Sequence, residues 1–271
     1  VVAAVVERRA FVRAVATAIL IGGLLGCGGS TPRPANGPAD AAELMARITS
    51  RAGAVRSISG MLALEVWRGD ERVRLRQLVL QRRPNHLRVD TLTPFEQPVS
   101  TLVSDGVTLS IYALDDRRFY EGPATPENLA RVLQVPVDGA ALGALLRGEV
   151  PLMADAGPAV MGWDEGRAQW RLDLETRTPT DPPRRQRLFV EPVALRLAEV
   201  VFTRGGSTTL HAWLGDYDGE GPTAVPRRLR FEVPDRKLRV DARLQDHRVN
   251  VEVPDEAFVL EPPRGVPVER L

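Results

Sequence analysis

Apolar and polar residues alternate with a period of two through most of the chain, the pattern of strands with one face covered and one in water. Met61 to Arg68 alternates around Leu62, Leu64 and Val66, and Arg72 to Arg82 reads as its hairpin partner around Val73, Leu75 and Leu78. Leu87 to Leu92, Val99 to Ser104 and Val107 to Leu114 follow, the last two joined by the turn pair Asp105-Gly106. Further on, the alternation resumes in Gln169 to Thr178, Arg187 to Val190, Leu195 to Thr203, Thr208 to Leu214, Arg227 to Val233, Leu238 to Gln245 and Val249 to Val253. Such segments at short spacing predict an antiparallel meander of about ten or eleven strands. A twisted sheet of that size tends to curl.

Three stretches carry helical periodicity instead. Residues 40–56 place Leu44, Ile48 and Val55 on one face, with Asp40 as N-cap and Glu43 as its capping-box partner. Pro126 to Leu133 opens on proline and has a stripe of Leu129, Val132 and Leu133. Asp138 to Leu146 is apolar at Leu142, Leu145 and Leu146 and is ended by Gly148 and Pro151. The class is therefore mainly β with helices (α+β). The two short inner helices need a concave sheet face to lie on.

The N-terminus has a different pattern. Arg8, Arg9 and Arg13 precede the apolar run Ala14 to Leu25, and small residues lead into Cys27. A charged region, a short apolar core and a small-residue cleavage site describe a secretory signal. The core is shorter than the roughly 20 apolar residues of a membrane-spanning helix. Leu24-Leu25-Gly26-Cys27 resembles the bacterial lipobox, in which the cysteine thiol is acylated and the chain is cut before it. Two acyl chains, at about 0.8 kcal/mol per buried methylene, anchor a protein stably. Cys27 is the only cysteine, so no intrachain disulfide can form. The organisation read from the sequence is a signal peptide at 1–26, a Gly/Pro/Ser/Ala-rich flexible tether at 27–40, a domain at 41–262 and an unstructured tail at 263–271.

The 271 residues carry a formal charge of +1. Glu7, Arg8, Arg9 and Arg13 put +2 of that in the signal, so the mature chain is close to neutral. Nucleic acid binding, which needs a basic domain, is excluded as a class. Lys237 is the single lysine among 36 basic residues, a mark of base composition rather than of function. A monomer is expected.

Catalytic chemistry is scarce. His86, His211 and His247 are scattered, with no metal-ligand spacing among them. Gly205-Gly206-Ser207-Thr208-Thr209 lacks the closing glycine of a nucleophile elbow and reads as a hairpin turn. Asp115-Asp116, Asp216 and Asp218 flank turns, and Arg184-Arg185 follows Pro182-Pro183 in a loop. No P-loop or dinucleotide fingerprint is present. The expectation is a protein that is not an enzyme, with no metal and no cofactor.

Three places carry a family resemblance. The first is Arg88 to Phe95 followed by Val99 to Leu102, a strand, a Pro-hydrophobe loop and a return strand. The second is Phe119-Tyr120, Asn128 to Leu133, Val135-Pro136-Val137 and Leu142 to Gly148 with Pro151. The third is Trp213, Tyr217, Pro226 and Leu229, then Leu238-Arg239-Val240. In this order the chain resembles the LolB family, outer-membrane lipoproteins that receive other lipoproteins from the periplasmic carrier LolA and insert them. The resemblance implies a half-open β-barrel with a helical cap over an apolar cavity for acyl chains. It also implies a LolA-like partner, a location at the outer membrane facing the periplasm, and a protruding loop whose hydrophobe meets the membrane. Pro94 and Phe95 match that loop; the family favours Leu at the tip, and here Glu96-Gln97-Pro98 lengthens the far side. Phe95 either enters the membrane or tucks into the core.

An acyl chain needs an apolar hollow with few hydrogen-bond demands. The candidate walls are Leu62, Leu64, Val66, Leu87, Val89, Leu109, Ile111, Trp170, Leu172, Phe202, Trp213, Leu229 and Phe231. Two other readings stay open: a lipid-anchored binding module serving another envelope lipid or assembly pathway, and an esterase-like enzyme, which the missing nucleophile motif disfavours. Gly28 after Cys27 lacks the Asp that retains lipoproteins at the inner membrane in enteric systems.

Overall fold

The computed structural model describes residues 31–271 apart from Pro94 and Gln134. The expectations for the signal, Cys27 and Pro94 lie outside these residues. The first element is α1 (Ala41–Thr49). Asp40 caps it by accepting from the Glu43 N–H at 2.8 Å, while the Glu43 carboxylate accepts from the Ala39 N–H at 2.7 Å. The predicted helix is too long by several residues. The Thr49 hydroxyl donates to the Met45 carbonyl and the Ser50 hydroxyl to the Arg47 carbonyl, competing with helix propagation. Val55 is buried, but in the segment that leads into the sheet.

Among the described residues, fourteen strands form one sheet. The first six are β1 (Ser57–Arg68), β2 (Glu71–Arg82), β3 (His86–Leu92), β4 (Pro98–Ser104), β5 (Thr108–Ala113) and β6 (Arg118–Pro123). Then come α2 (Pro126–Leu133) and α3 (Gly139–Leu146). The sheet continues with β7 (Val160–Asp164), β8 (Gln169–Glu175), β9 (Arg184–Val190), β10 (Leu197–Arg204), β11 (Ser207–Asp218), β12 (Val225–Val233), β13 (Leu238–Val249) and β14 (Val268–Arg270). The spatial order is β14-β6-β5-β4-β3-β2-β1-β13-β12-β11-β10-β9-β8-β7. Two meanders therefore meet where β13 pairs with β1, and the helices fill the crossover from one outer end to the other.

The expected half-open barrel of about ten or eleven strands is corrected in strand number: the described residues form an open sheet of fourteen, whose outermost strands β14 and β7 do not pair with each other. The two halves are antiparallel throughout; only β14 runs parallel to its neighbour, β6. The strand expected at Val249 to Val253 is absent: β13 continues to Val249 and the chain then leaves the sheet. Val268–Arg270, expected in an unstructured tail, is β14. The Asp105-Gly106 turn is present as a three-residue connection in which the Asp105 carboxylate accepts from the N–H groups of Val107 and Thr108. Gly106 there has φ +93°, a conformation that glycine adopts without penalty.

Register explains the sidedness. Cross-strand neighbours Val73, Val66, Val240, Phe231, Ala212, Val200, Leu188, Leu172 and Met161 form one apolar row over nine strands. One residue along, Arg74, Glu65, Asp241, Arg230, Trp213 and Glu199 form a polar row on the opposite face. Opposite charges facing each other across strands stabilise that face modestly. The core lies against the apolar row. Leu44 and Ile48 of α1 and Leu145 of α3 are almost wholly buried there. α3 contacts both β3 and β12, on either side of the β2-β1-β13 centre, so it lies across the middle of the apolar face.

The segment expected as a free tether is laid onto the sheet from Thr31 onward. The Trp163 indole N–H donates to the Thr31 carbonyl at 2.7 Å, and the Arg33 guanidinium lies 4.9 Å from the Trp170 ring centre. A side-chain carbon on Gly37 would sit 2.1 Å from that ring, so only glycine permits this approach.

Candidate functional site

Between the apolar sheet face and α2–α3 lies a hollow of about 320 Å³. Its floor comes from the sheet: Leu62, Leu64 and Val66 of β1, Leu75, Gln77 and Val79 of β2, Leu87, Val89 and Thr91 of β3, and Ser100 and Leu102 of β4. Ile111 of β5 closes one side, and Leu229, Phe231, Leu238, Val240 and Ala242 of β12 and β13 close the other. Its roof is helical: Val132 and Leu133 of α2, Val135 and Val137 of the linker, and Leu142 and Leu146 of α3. Arg68 stands at one end. The local reason for the roof is simple. α3 is apolar on nearly every side, and Asp138 fixes its start by accepting from the Ala141 N–H at 2.6 Å. Gly148, with φ +67°, ends it.

Of the thirteen candidate walls, eight line this hollow: Leu62, Leu64, Val66, Leu87, Val89, Ile111, Leu229 and Phe231. Five do not. Leu109 is fully buried on β5 in the solid core. Trp170 and Leu172 are fully buried on β8, in the far half of the sheet, where Trp163 packs edge-on against Trp170. Phe202 is half-buried on β10 against the core. Trp213 is on the opposite face, because Leu210, Ala212 and Leu214 are the inward positions of β11. Its ring stacks on His211 with 3.5 Å between centroids, and Arg230 lies over it. Leu78, expected inside, is likewise outward and exposed, since Val73, Leu75, Gln77 and Val79 hold the inward file of β2.

Sequence reasoning missed the walls from β2, β4 and β13 and the linker valines as cavity residues. The signal for Val132, Leu133, Leu142 and Leu146 was in the helical stripes. The signal for Leu238, Val240 and Ala242 was in an alternation already read as a strand.

A wider depression of about 800 Å³ lies on the other side of the sheet and includes Glu65, Arg74, Arg76, Trp213, Arg230, Asp241 and Arg243. Its charges are largely paired: Glu65 with Arg72 and Arg74, Asp241 with Arg230 and Arg239, Arg76 with Glu96. Exposed pairs of this kind contribute little stability. An apolar ligand there would strand polar groups, which makes the smaller hollow the candidate site.

The β3–β4 loop presents Phe95 to solvent at 87% exposure, so the side chain does not tuck into the core. The loop is held from within. Thr93 donates its N–H to the Gln97 carbonyl at 2.8 Å, and its hydroxyl accepts from the N–H groups of Phe95 and Gln97. Glu96, at φ +64°, pairs with Arg76 of β2.

Polar chemistry concentrates at the closed end of α3. Arg147 donates from Nε to the Glu149 carboxylate at 3.1 Å, and Arg83 pairs with the other oxygen of that group. Burial pulls the Arg147 guanidinium below its ordinary value, opposed by Glu149. Burial likewise lowers Arg51, which donates to the Ala224 carbonyl, and raises the Tyr217 phenol. Among the described residues there is no group of three or more His, Cys, Asp or Glu placed to hold a metal ion, and no helix is long and apolar enough to cross a membrane.

Solved structures share this architecture. A LolA superfamily protein from Nitrosomonas europaea superposes with a TM-score of 0.57 at 15% identity, over 82% of this chain and 98% of its own. The chain shares that protein's fold. A DUF1329 family protein from Desulfovibrio piger gives a TM-score of 0.57 at 11% identity, over 80% of this chain and 94% of its own. A domain described as an outer membrane lipoprotein-sorting protein, from Vibrio parahaemolyticus, gives 0.54 at 13% identity, over 80% and 94%. No family model and no curated protein matches the chain in sequence. The LolA-type fold thus stands on structure, and at these identities it carries the fold alone.

Proposed function

We propose that this chain is a lipid-anchored carrier of the bacterial envelope that takes lipoprotein acyl chains into the hollow under α2–α3 and helps insert lipoproteins into the outer membrane. The hollow carries the reading: sheet, linker and both helices converge on it with aliphatic side chains and few polar ones. In this account lipid on Cys27 holds the chain at the membrane, facing the periplasm, and a LolA-like carrier delivers the cargo. Phe95, displayed on a tip braced by Thr93, meets the bilayer. The protein acts by binding and release, without catalysis. The description of the Vibrio parahaemolyticus domain as lipoprotein-sorting supports the reading.

The volume favours a second reading. A hollow of about 320 Å³ is near the lower end of ligand pockets, roughly 300–1,000 Å³. At about 30 Å³ for a water-sized group it has room for about ten such groups, one medium acyl chain. A multiply acylated cargo needs the roof to move, whereas a module for a single-chain lipid does not. The test is transfer: a LolA-like carrier holding labelled lipoprotein is mixed with the full-length chain in liposomes. Label moving onto the chain and into the bilayer supports the receptor. No movement, with a competent carrier and a folded chain, leaves the single-chain lipid module.

A further inference from the structure

Just beyond the lining of the hollow lie buried polar atoms that have no hydrogen-bond partner among the described residues. Val79 and Leu146 line it, and the next inward residue of β2 is Gln81 and the next residue of the chain after Leu146 is Arg147. Gln81 is 2% exposed and Arg147 is 3% exposed. Neither the amide nitrogen nor the amide oxygen of Gln81 has a hydrogen-bond partner among the described residues, and neither does Nη1 of Arg147. The two side chains converge on Gly143: a carbon added there would lie 2.9 Å from Arg147 Nη1 and 3.1 Å from Gln81 Nε2. Leu87, which faces Gln81 across the β2–β3 pair, also lines the hollow. The unpaired donors thus sit one position behind lining residues on both β2 and α3.

Charge points the same way. Arg147 and Arg83 share the single carboxylate of Glu149, which leaves the cluster one positive charge in excess. Unpaired donors in a dry interior each cost several kcal/mol unless a partner arrives. A few placed polar groups at one end of an apolar pocket set ligand orientation and specificity.

We propose that Gln81 and Arg147 form a carboxylate-binding subsite where the hollow meets the C-terminal end of α3, so that the preferred ligand is a single-chain amphiphile with an acidic head, a fatty acid. The head is held by Arg147 Nη1 and the Gln81 amide, and the tail runs along β1 and β13 beneath α2. The inference rests on the second reading of the hollow, a site for one single-chain lipid, and narrows the class of that lipid.

The test uses the full-length chain and tritiated dodecanoate, displaced by unlabelled dodecanoate or by methyl dodecanoate at neutral pH. The two competitors share a tail and differ in the charge of the head. The acid is expected to bind about tenfold or more tighter than the ester, the span of a charge-assisted hydrogen bond. Arg147→Met is expected to abolish that preference. Gln81→Leu, close in volume and leaving the ion pairs intact, is expected to reduce it several-fold, and it keeps the test decisive if Arg147→Met does not fold. Equal affinity for acid and ester in the unaltered chain would assign the polar end to bound water and overturn the inference, with the lipid site still standing. Full preference retained in Gln81→Leu would also overturn it. No displaceable binding of either compound would overturn the subsite together with the lipid reading beneath it.

Discussion

Ala242→Leu separates a hollow from a filled core by the sign of its effect. Ala242 lines the hollow from β13 and is 7% exposed, whereas Ala212, on the same sheet face two strands away, is fully buried and does not line it. Leucine adds three carbons. If they enter empty apolar space, the gain is about 0.8 kcal/mol per carbon, less about 0.5–1 kcal/mol of lost rotamer freedom. Ala242→Leu is then expected to stabilise the fold by about 1.5–2 kcal/mol, in the range of other cavity-filling changes. At Ala212 the same carbons meet a packed core, and overpacking costs about 1–3 kcal/mol. The two substitutions should differ by about 3 kcal/mol in urea unfolding, at unchanged denaturant dependence. The added side chain also takes up about three of the ten water-sized places, so affinity for a medium-chain lipid should fall about tenfold or more. Destabilisation by Ala242→Leu equal to that of Ala212→Leu would refute the hollow.

Phe95→Glu is expected to leave urea stability within about 0.5 kcal/mol, since the side chain is exposed, and to block transfer of lipoprotein into liposomes, because a charge resists entry into the bilayer. Normal transfer by that variant would remove the loop from the mechanism. Asp138→Ala takes away the N-cap of α3 and should cost about 1 kcal/mol in the same unfolding experiment. The Asp105 carboxylate accepts from the N–H groups of Thr108 and Val107, which holds it below its ordinary 3.8. A depressed folded value gives stability that is complete above the unfolded value and lost as pH falls through the folded one. Asp105→Asn should therefore flatten the acid limb of the stability profile below about pH 3.8, and carbon NMR of Asp105 should titrate below that point.

The antiparallel order and both inner helices were legible because their signals are local. Alternation marks a strand wherever one face is buried, and Pro126, Asp138 and Gly148 punctuate the helices. The missing strands had weaker marks. β6 ends in Gly122-Pro123, and Met161-Gly162-Trp163 of β7 has no clean period. The pairing of β13 with β1, which joins the two halves, is a contact between segments about 180 residues apart and leaves no periodic trace. The candidate site was read less completely. Inward position along each strand could be assigned, but alternation does not say whether an inward side chain meets another side chain or empty space. Trp170 and Leu172 meet side chains; Leu64 and Phe231 meet the hollow. Trp213 differs: an aromatic ring on the polar face is stabilised by Arg230 and His211, cross-strand or neighbouring contacts that its own residue type does not announce. Arg147 and Gln81 have no sequence signature, since what marks them is that Nη1 of Arg147 and the Gln81 amide find no hydrogen bond among the described residues.

A fatty acyl chain carrying a diazirine near its end, photolysed on the full-length chain and mapped by peptide mass spectrometry, tests the central claim most directly. The account predicts adducts on β1, β13 and α2, at residues such as Leu64, Val240 and Val132, lost when excess unlabelled lipid is added. Adducts confined to the charged face around Trp213 and Arg230, or unaffected by competing lipid, would contradict it.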